Sequence, residues 1–188
     1  MFAALHSKFM KVSQVAVWVG GLALMCCAIM VTGDVIARKL FSITISGSDE
    51  ISGYVFAACT TWAYSYCLLH RAHIRIDAIY NLLGVRTKAL LDLLGLLLLL
   101  YYIYLLTIGA IEMFLDNVQY NSTAQTTLAT PLWIPQVFWV SGLCFFLLTL
   151  VFLTVYCIAA LLRGEWSTIG QIAGVRSVEE EISEETHV

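Results

Sequence analysis

Residues 89–111 read ALLDLLGLLLLLYYIYLLTIGAI, with a single charged side chain, Asp92, in the first turn. At 1.5 Å of rise per residue, a helix of this length crosses a hydrocarbon core about 30 Å thick. The run Leu93 to Leu100, LLGLLLLL, has none of the period-two alternation of a membrane β-strand. Lipid offers the backbone no hydrogen-bond partner, so the stretch is predicted to be a transmembrane helix. Three more stretches of the same kind flank it. Residues 12–32 are apolar and uncharged up to Asp34, Arg38 and Lys39. Residues 51–69 end at the polar run His70, Arg71, His73 and Arg75, and residues 137–162 stop at Arg163-Gly164-Glu165.

This pattern predicts an all-α integral membrane protein, with four transmembrane helices in residues 1–165 and an acidic cytoplasmic tail in residues 166–188. Of the 188 residues, 60% are hydrophobic and only 12% charged, where soluble domains carry about a quarter charged. No length remains for a soluble catalytic domain, so an enzyme is not expected. The formal charge of −3, with acids gathered from Glu179 to Glu185, argues against a nucleic-acid partner. Residues 12–32 exceed a signal-peptide core and are followed by a basic stop, so they are expected to remain as an anchor.

Lysine and arginine set the orientation. Lys8 and Lys11 precede the first span, Arg71, Arg75, Arg86 and Lys88 lie between the second and third, and Arg163 and Arg176 follow the fourth. Eight of the ten basic residues therefore share one face, and Arg38 and Lys39 occupy the other. The positive-inside rule places both termini in the cytoplasm and the 112–136 connection outside. Trp133 and Trp139 fall near the outer end of the fourth span, where interfacial aromatic belts form.

The six cysteines, at 26, 27, 59, 67, 144 and 157, all lie within spans, and are expected to pack rather than to form disulfides or a redox pair. Intramembrane charge is expensive and usually functional, yet no acid, base or histidine stands at mid-span. Asp34 with Arg38, and Lys88 with Asp92, are four residues apart and share a helix face, as neutralising pairs would. An ion-coupled pump acting alone needs a mid-span titratable group, and a haem-binding anchor needs histidines at membrane depth. His6 and His187 lie in the tails, and His70 and His73 at a helix end. His70, His73 and Asp77 have a spacing that a metal can use, but a hydrated interfacial cluster has the same spacing. No cofactor or metal is expected in this chain.

Between the second and third spans, residues 70–83 are predicted to form an amphipathic interfacial helix. Ala72, Ile76, Ile79, Tyr80 and Leu83 make an apolar stripe flanked by Arg71 and Arg75, while His70, His73 and Asp77 gather elsewhere. The stripe fits phospholipid, with the arginines at anionic headgroups, and fits a partner protein equally. In the second span Gly53, Ala57, Thr61 and Ser65 recur every fourth residue. Such a small-residue face permits close helix approach, either to this chain's own helices or to another subunit. On the outward connection, Thr130 is expected to cap the fourth helix with Pro131 at its first position.

Taken in order, several segments resemble a known family. They are Asp34, Arg38 and Phe41 after the first span, Asp49-Glu50 before the second, HRAHIRID at 70–77 and TPLWIPQ at 130–136. Together they are similar to the small integral-membrane, DctQ-like subunit of tripartite ATP-independent periplasmic (TRAP) transporters, over roughly residues 10 to 165. In one respect the chain departs from that family, which often has an aromatic residue shortly before the acid of the second span; Ser46-Gly47-Ser48 stands here.

The resemblance implies a bacterial inner-membrane subunit that braces a large, DctM-like transport subunit. That larger subunit carries sodium and substrate, and a periplasmic, DctP-like binding protein delivers an organic acid. By position, Asp34, Arg38, Glu50 and the Gly53, Ala57, Thr61, Ser65 face would meet the large subunit, and Glu112 and Asp116 the binding protein. Arg71, His73, Arg75, Asp77, Trp133 and Trp139 would sit at the lipid interface. A membrane anchor for a respiratory enzyme is the alternative from another class.

Overall fold

In a computed structural model of the chain, residues 2–44, 46–71, 84–166, 170, 172 and 174 are described, with side chains from residue 5 onward. They form four helices: α1 (Phe2–Phe41), α2 (Ser48–Leu69), α3 (Val85–Gln119) and α4 (Trp133–Leu162). Among the described residues there is no strand beyond an isolated antiparallel bridge between Thr123 and Pro131. Three helices are long and apolar enough to cross a membrane, over Leu5–Phe41, Val85–Gln119 and Trp133–Leu162, with mean hydropathies of 2.3, 2.2 and 2.6. The fourth expected crossing, in α2, has the length at 22 residues, but serines, threonines and an acidic first turn dilute its hydropathy. Of the expected interfacial segment 70–83, residues 72–83, with His73, Arg75 and Asp77 among them, lie outside the described residues, as does most of the tail.

The helices run past the spans that the apolar pattern marks out. α1 continues through Asp34 and Arg38 because these two neutralise each other within the helix, one turn apart at 2.5 Å. α3 continues beyond residue 111 through Glu112 and Asp116, ending at Gln119. At the start of α4 the expected cap is not found. The helix begins at Trp133, and its N-cap, Leu132, makes no side-chain capping bond. Pro131 is held outside the helix by its bridge to Thr123, and the Leu132 N–H donates back to the Ser122 carbonyl at 3.0 Å.

The principal helix contacts are α1 with α2, α2 with α4, and α4 with α3. α4 supplies most of the core: Leu143, Leu150 and Cys157 are essentially inaccessible, and Phe146 and Leu153 nearly so. Leu93, Leu96 and Ile103 of α3 and Leu68 and Leu69 of α2 close around it. α1 contributes little to that core and leaves Trp18, Leu22, Met25 and Ile29 more than 60% exposed. Large apolar side chains facing outward along a whole helix are what a lipid-facing or subunit-facing surface requires.

Candidate functional site: the α2·α4 seam and the polar cap

Two regions gather the polar side chains of the chain. The first is the seam between α2 and α4. Gly142 of α4 lies so close to α2 that a Cβ there would stand 2.4 Å from the Thr61 hydroxyl and 2.8 Å from the Trp62 ring. Thr61 directs its hydroxyl at its own helix, donating to the carbonyls of Ala57 and Ala58 at 3.1 and 2.9 Å. One turn on, the Ser65 and Thr149 hydroxyls are 3.4 Å apart, both fully buried. The indole N–H of Trp62 donates across the seam to the Phe138 carbonyl at 3.1 Å. An indole N–H among apolar side chains needs such a partner, and the helix surface of α4 provides it.

The seam resolves the small-residue face of α2. Thr61 and Ser65 are 4% and 0% exposed and packed on this chain's own α4, the first of the two partners that the small-residue face allowed. Gly53 is exposed, with nothing within 4 Å of a Cβ placed on it, and Ala57 is half-buried. The lower half of the face is spent inside the chain, and the upper half remains open.

The second region is a polar cap built on the α1–α2 turn. Asp34 is 1% exposed and takes hydrogen bonds from Arg38 at 2.5 Å and from Ser48 at 3.2 Å, tying the end of α1 to the start of α2. Asp34 is thus an internal tie, while the Arg38 side chain remains 52% exposed. The connection before α4 folds over this turn. Ser46 donates to the Thr127 hydroxyl at 3.0 Å, and Thr126 donates to the Glu50 carboxylate. Tyr54, one turn along α2, donates to the other Glu50 oxygen at 2.7 Å.

These donors, Thr126 first and Tyr54 next, hold the Glu50 carboxyl below the usual glutamate range. Glu50 stands just outside the expected 51–69 crossing. Beneath the loop, Gly47 adopts φ +90°, and the Leu128 side chain sits where a Cβ would project, 2.1 Å from it. The left-handed backbone at this position favours glycine, and a side chain there would also have to displace Leu128.

The remaining candidate residues are dispersed. Glu112 and Asp116 are exposed near the C-terminal end of α3. Trp133 is 42% exposed and Trp139 half-buried near the start of α4. Arg71 closes α2 with φ +53°, its N–H donating to the Leu68 carbonyl. Among the described residues, no group of three or more His, Cys, Asp or Glu side chains is placed to hold a metal ion.

The sequence reading missed Tyr54, Trp62, Thr126, Thr127, Leu128 and Gly142. The Glu50–Tyr54 spacing of four was the one local signal available; the others act through contacts 76 or more residues apart in sequence.

Residues 27–164, more than half of the chain, match the family model described as "Tripartite ATP-independent periplasmic transporters, DctQ component". No curated protein and no solved structure matches. The matched region starts midway along α1 and ends just after α4, so it contains both the seam and the cap.

Proposed function

The chain belongs to the DctQ component family of tripartite ATP-independent periplasmic transporters, and from that membership we propose that it scaffolds the large transport subunit of a sodium-coupled uptake system. It is a membrane protein and a small transporter subunit, from a family not known for enzymes. The finer reading is ours. The chain sits in a bacterial inner membrane with both termini cytoplasmic, beside a large DctM-like subunit that binds sodium. A periplasmic DctP-like protein delivers an organic acid on the outer side.

The observation that carries a supporting role is where the hydroxyls go. Thr61, Thr107, Thr149 and Thr154 are buried, and each donates to a carbonyl of its own helix. Asp34, the buried acid of α1, is engaged by Arg38 and Ser48. These groups support helix geometry, which suits a static brace. Arg38, Gly53 and the exposed apolar face of α1 are the surfaces offered to the large subunit. Glu112 and Asp116, at the outer end of α3, are offered to the binding protein.

The family match gives no support to the alternative of an anchor for a redox enzyme. Affinity purification after co-expression with the genes on either side is expected to recover a much larger polytopic protein and no haem absorbance. A Soret band copurifying without such a partner would overturn the assignment.

A further inference from the structure

A groove of about 780 Å³ runs along the outside of the bundle, between α1 and α4 with α2 as its floor. It exists because the residues that should fill it are small: Ala16, Gly20 and Ala23 on α1 face Ala58 and Cys59 on α2. The helices approach closely there, a Cβ on Gly20 meeting Cys59 at 3.3 Å. Trp62 and Phe138 form the opposite wall. At one end, Phe9 stacks on Phe145 and Phe152, with centroids 5.7 and 5.3 Å away. The volume lies in the range of pockets that hold a whole small molecule, about 300–1,000 Å³.

The wall is apolar, but its rim carries one cation and no acid: Lys11, which is exposed. The register of α1 against α2 brings more positive charge to the same end. With Gly20 beside Cys59 in an antiparallel pair, Lys8 is twelve residues before Gly20 and Arg71 twelve residues after Cys59, so both stand at one level, a turn beyond Lys11. An apolar slot with a basic end at the membrane interface has the polarity of an anionic amphiphile.

We propose that this groove holds one acyl chain of an anionic phospholipid from the leaflet on the basic side, with its phosphate at Lys11 and with Lys8 and Arg71 close by. The bound lipid completes the packing between α1 and α4 that the small residues leave open. The site lies partly outside the matched family region, since Lys8, Phe9, Lys11, Ala16, Gly20 and Ala23 all precede residue 27. It does not depend on the transport assignment.

The test uses the full chain in mixed micelles containing phosphatidylglycerol and phosphatidylcholine, read by native mass spectrometry. One phosphatidylglycerol is expected to stay bound. Lys11→Gln should reduce its retention roughly five-fold, the factor set by one basic residue near an anionic surface. Ala16→Phe, which fills the slot, should remove retention of either lipid.

A second measurement does not depend on gas-phase retention. With brominated acyl chains in vesicles, Trp62 fluorescence should be quenched more by phosphatidylglycerol than by phosphatidylcholine. Trp18, 75% exposed, should show no preference. Equal retention of both headgroups, unmoved by Lys11→Gln, would reduce the groove to a surface wetted by bulk lipid and overturn the proposal. So would a Trp62 shielded from both brominated lipids, which would mean that a protein helix covers it.

Discussion

The seam and the cap use the same residue types in opposite ways. In the seam, each buried threonine hydroxyl donates to its own helix and two bonds are seen to cross, Thr149 to Ser65 and Trp62 to Phe138, so α2 and α4 hold together mainly through shape, with Gly142 against Thr61 and Trp62. Lipid tails are as apolar as leucine, so close backbone approach at small residues decides association there. In the cap, the hydroxyls of Ser46, Ser48 and Thr126 reach across elements to carboxylates or to another hydroxyl, and Tyr54 reaches Glu50 along its own helix. Water competes for the exposed ones, Ser46 to Thr127 and Thr126 to Glu50, so each of these contributes modestly. An added methyl should therefore damage the seam most, and a lost hydrogen bond should disturb the cap only locally.

Gly142→Leu is the most damaging change expected. Even a Cβ overlaps Thr61, and overpacking of this kind costs about 3 kcal/mol; the midpoint of denaturant unfolding in detergent should fall accordingly. An unchanged midpoint would mean that α2 and α4 do not meet at this point. Gly47→Val comes next. It forces a branched residue to φ +90° under Leu128, at about 2 kcal/mol for the backbone and clash together. The loss should be partly recovered by Leu128→Ala, a coupling that a double-mutant cycle would reveal.

Smaller effects separate the two regions more finely. Trp62→Phe keeps an aromatic ring, though a smaller one, and removes the bond to Phe138, so about 1 kcal/mol should be lost with no change in helix content by circular dichroism.

The weakest effect belongs to the exposed carboxylate of the cap. Glu50 is held below its ordinary range in the folded chain, so its contribution is present above the unfolded value and disappears as pH falls through the lowered one. Proteolysis of the 121–132 loop should therefore speed up on acidification below the usual glutamate range. Glu50→Gln should cut faster at neutral pH and lose that acid-dependent step. A loop equally protected at all pH values would show that the Glu50–Thr126 contact does not hold it.

How much of this was legible in sequence follows from the range of the interactions. The helices were, because hydrophobicity over some twenty consecutive residues is a local property. The helix ends were less so: the charged pair Asp34 and Arg38 reads as a stop in sequence but sits inside α1, because the two side chains cancel each other within one turn. The start of α4 was misjudged because Thr130 and Pro131 have the right chemistry for a cap, while the bridge to Thr123 takes Pro131 away from the helix. The face Gly53, Ala57, Thr61, Ser65 was visible as a packing surface. Its division, half closed on α4 and half open, depends on a glycine some 80 positions away that no local pattern points to.

On the proposed reading, this chain braces a transporter without itself carrying solute. Reconstitution into vesicles under an imposed sodium gradient tests it most directly, comparing the purified chain alone with the chain assembled with its large partner and supplied with the binding protein and its ligand. Accumulation of the ligand only in the assembled vesicles, and its loss with Gly142→Leu, is the predicted result. Sodium-driven accumulation by the chain alone would contradict the account.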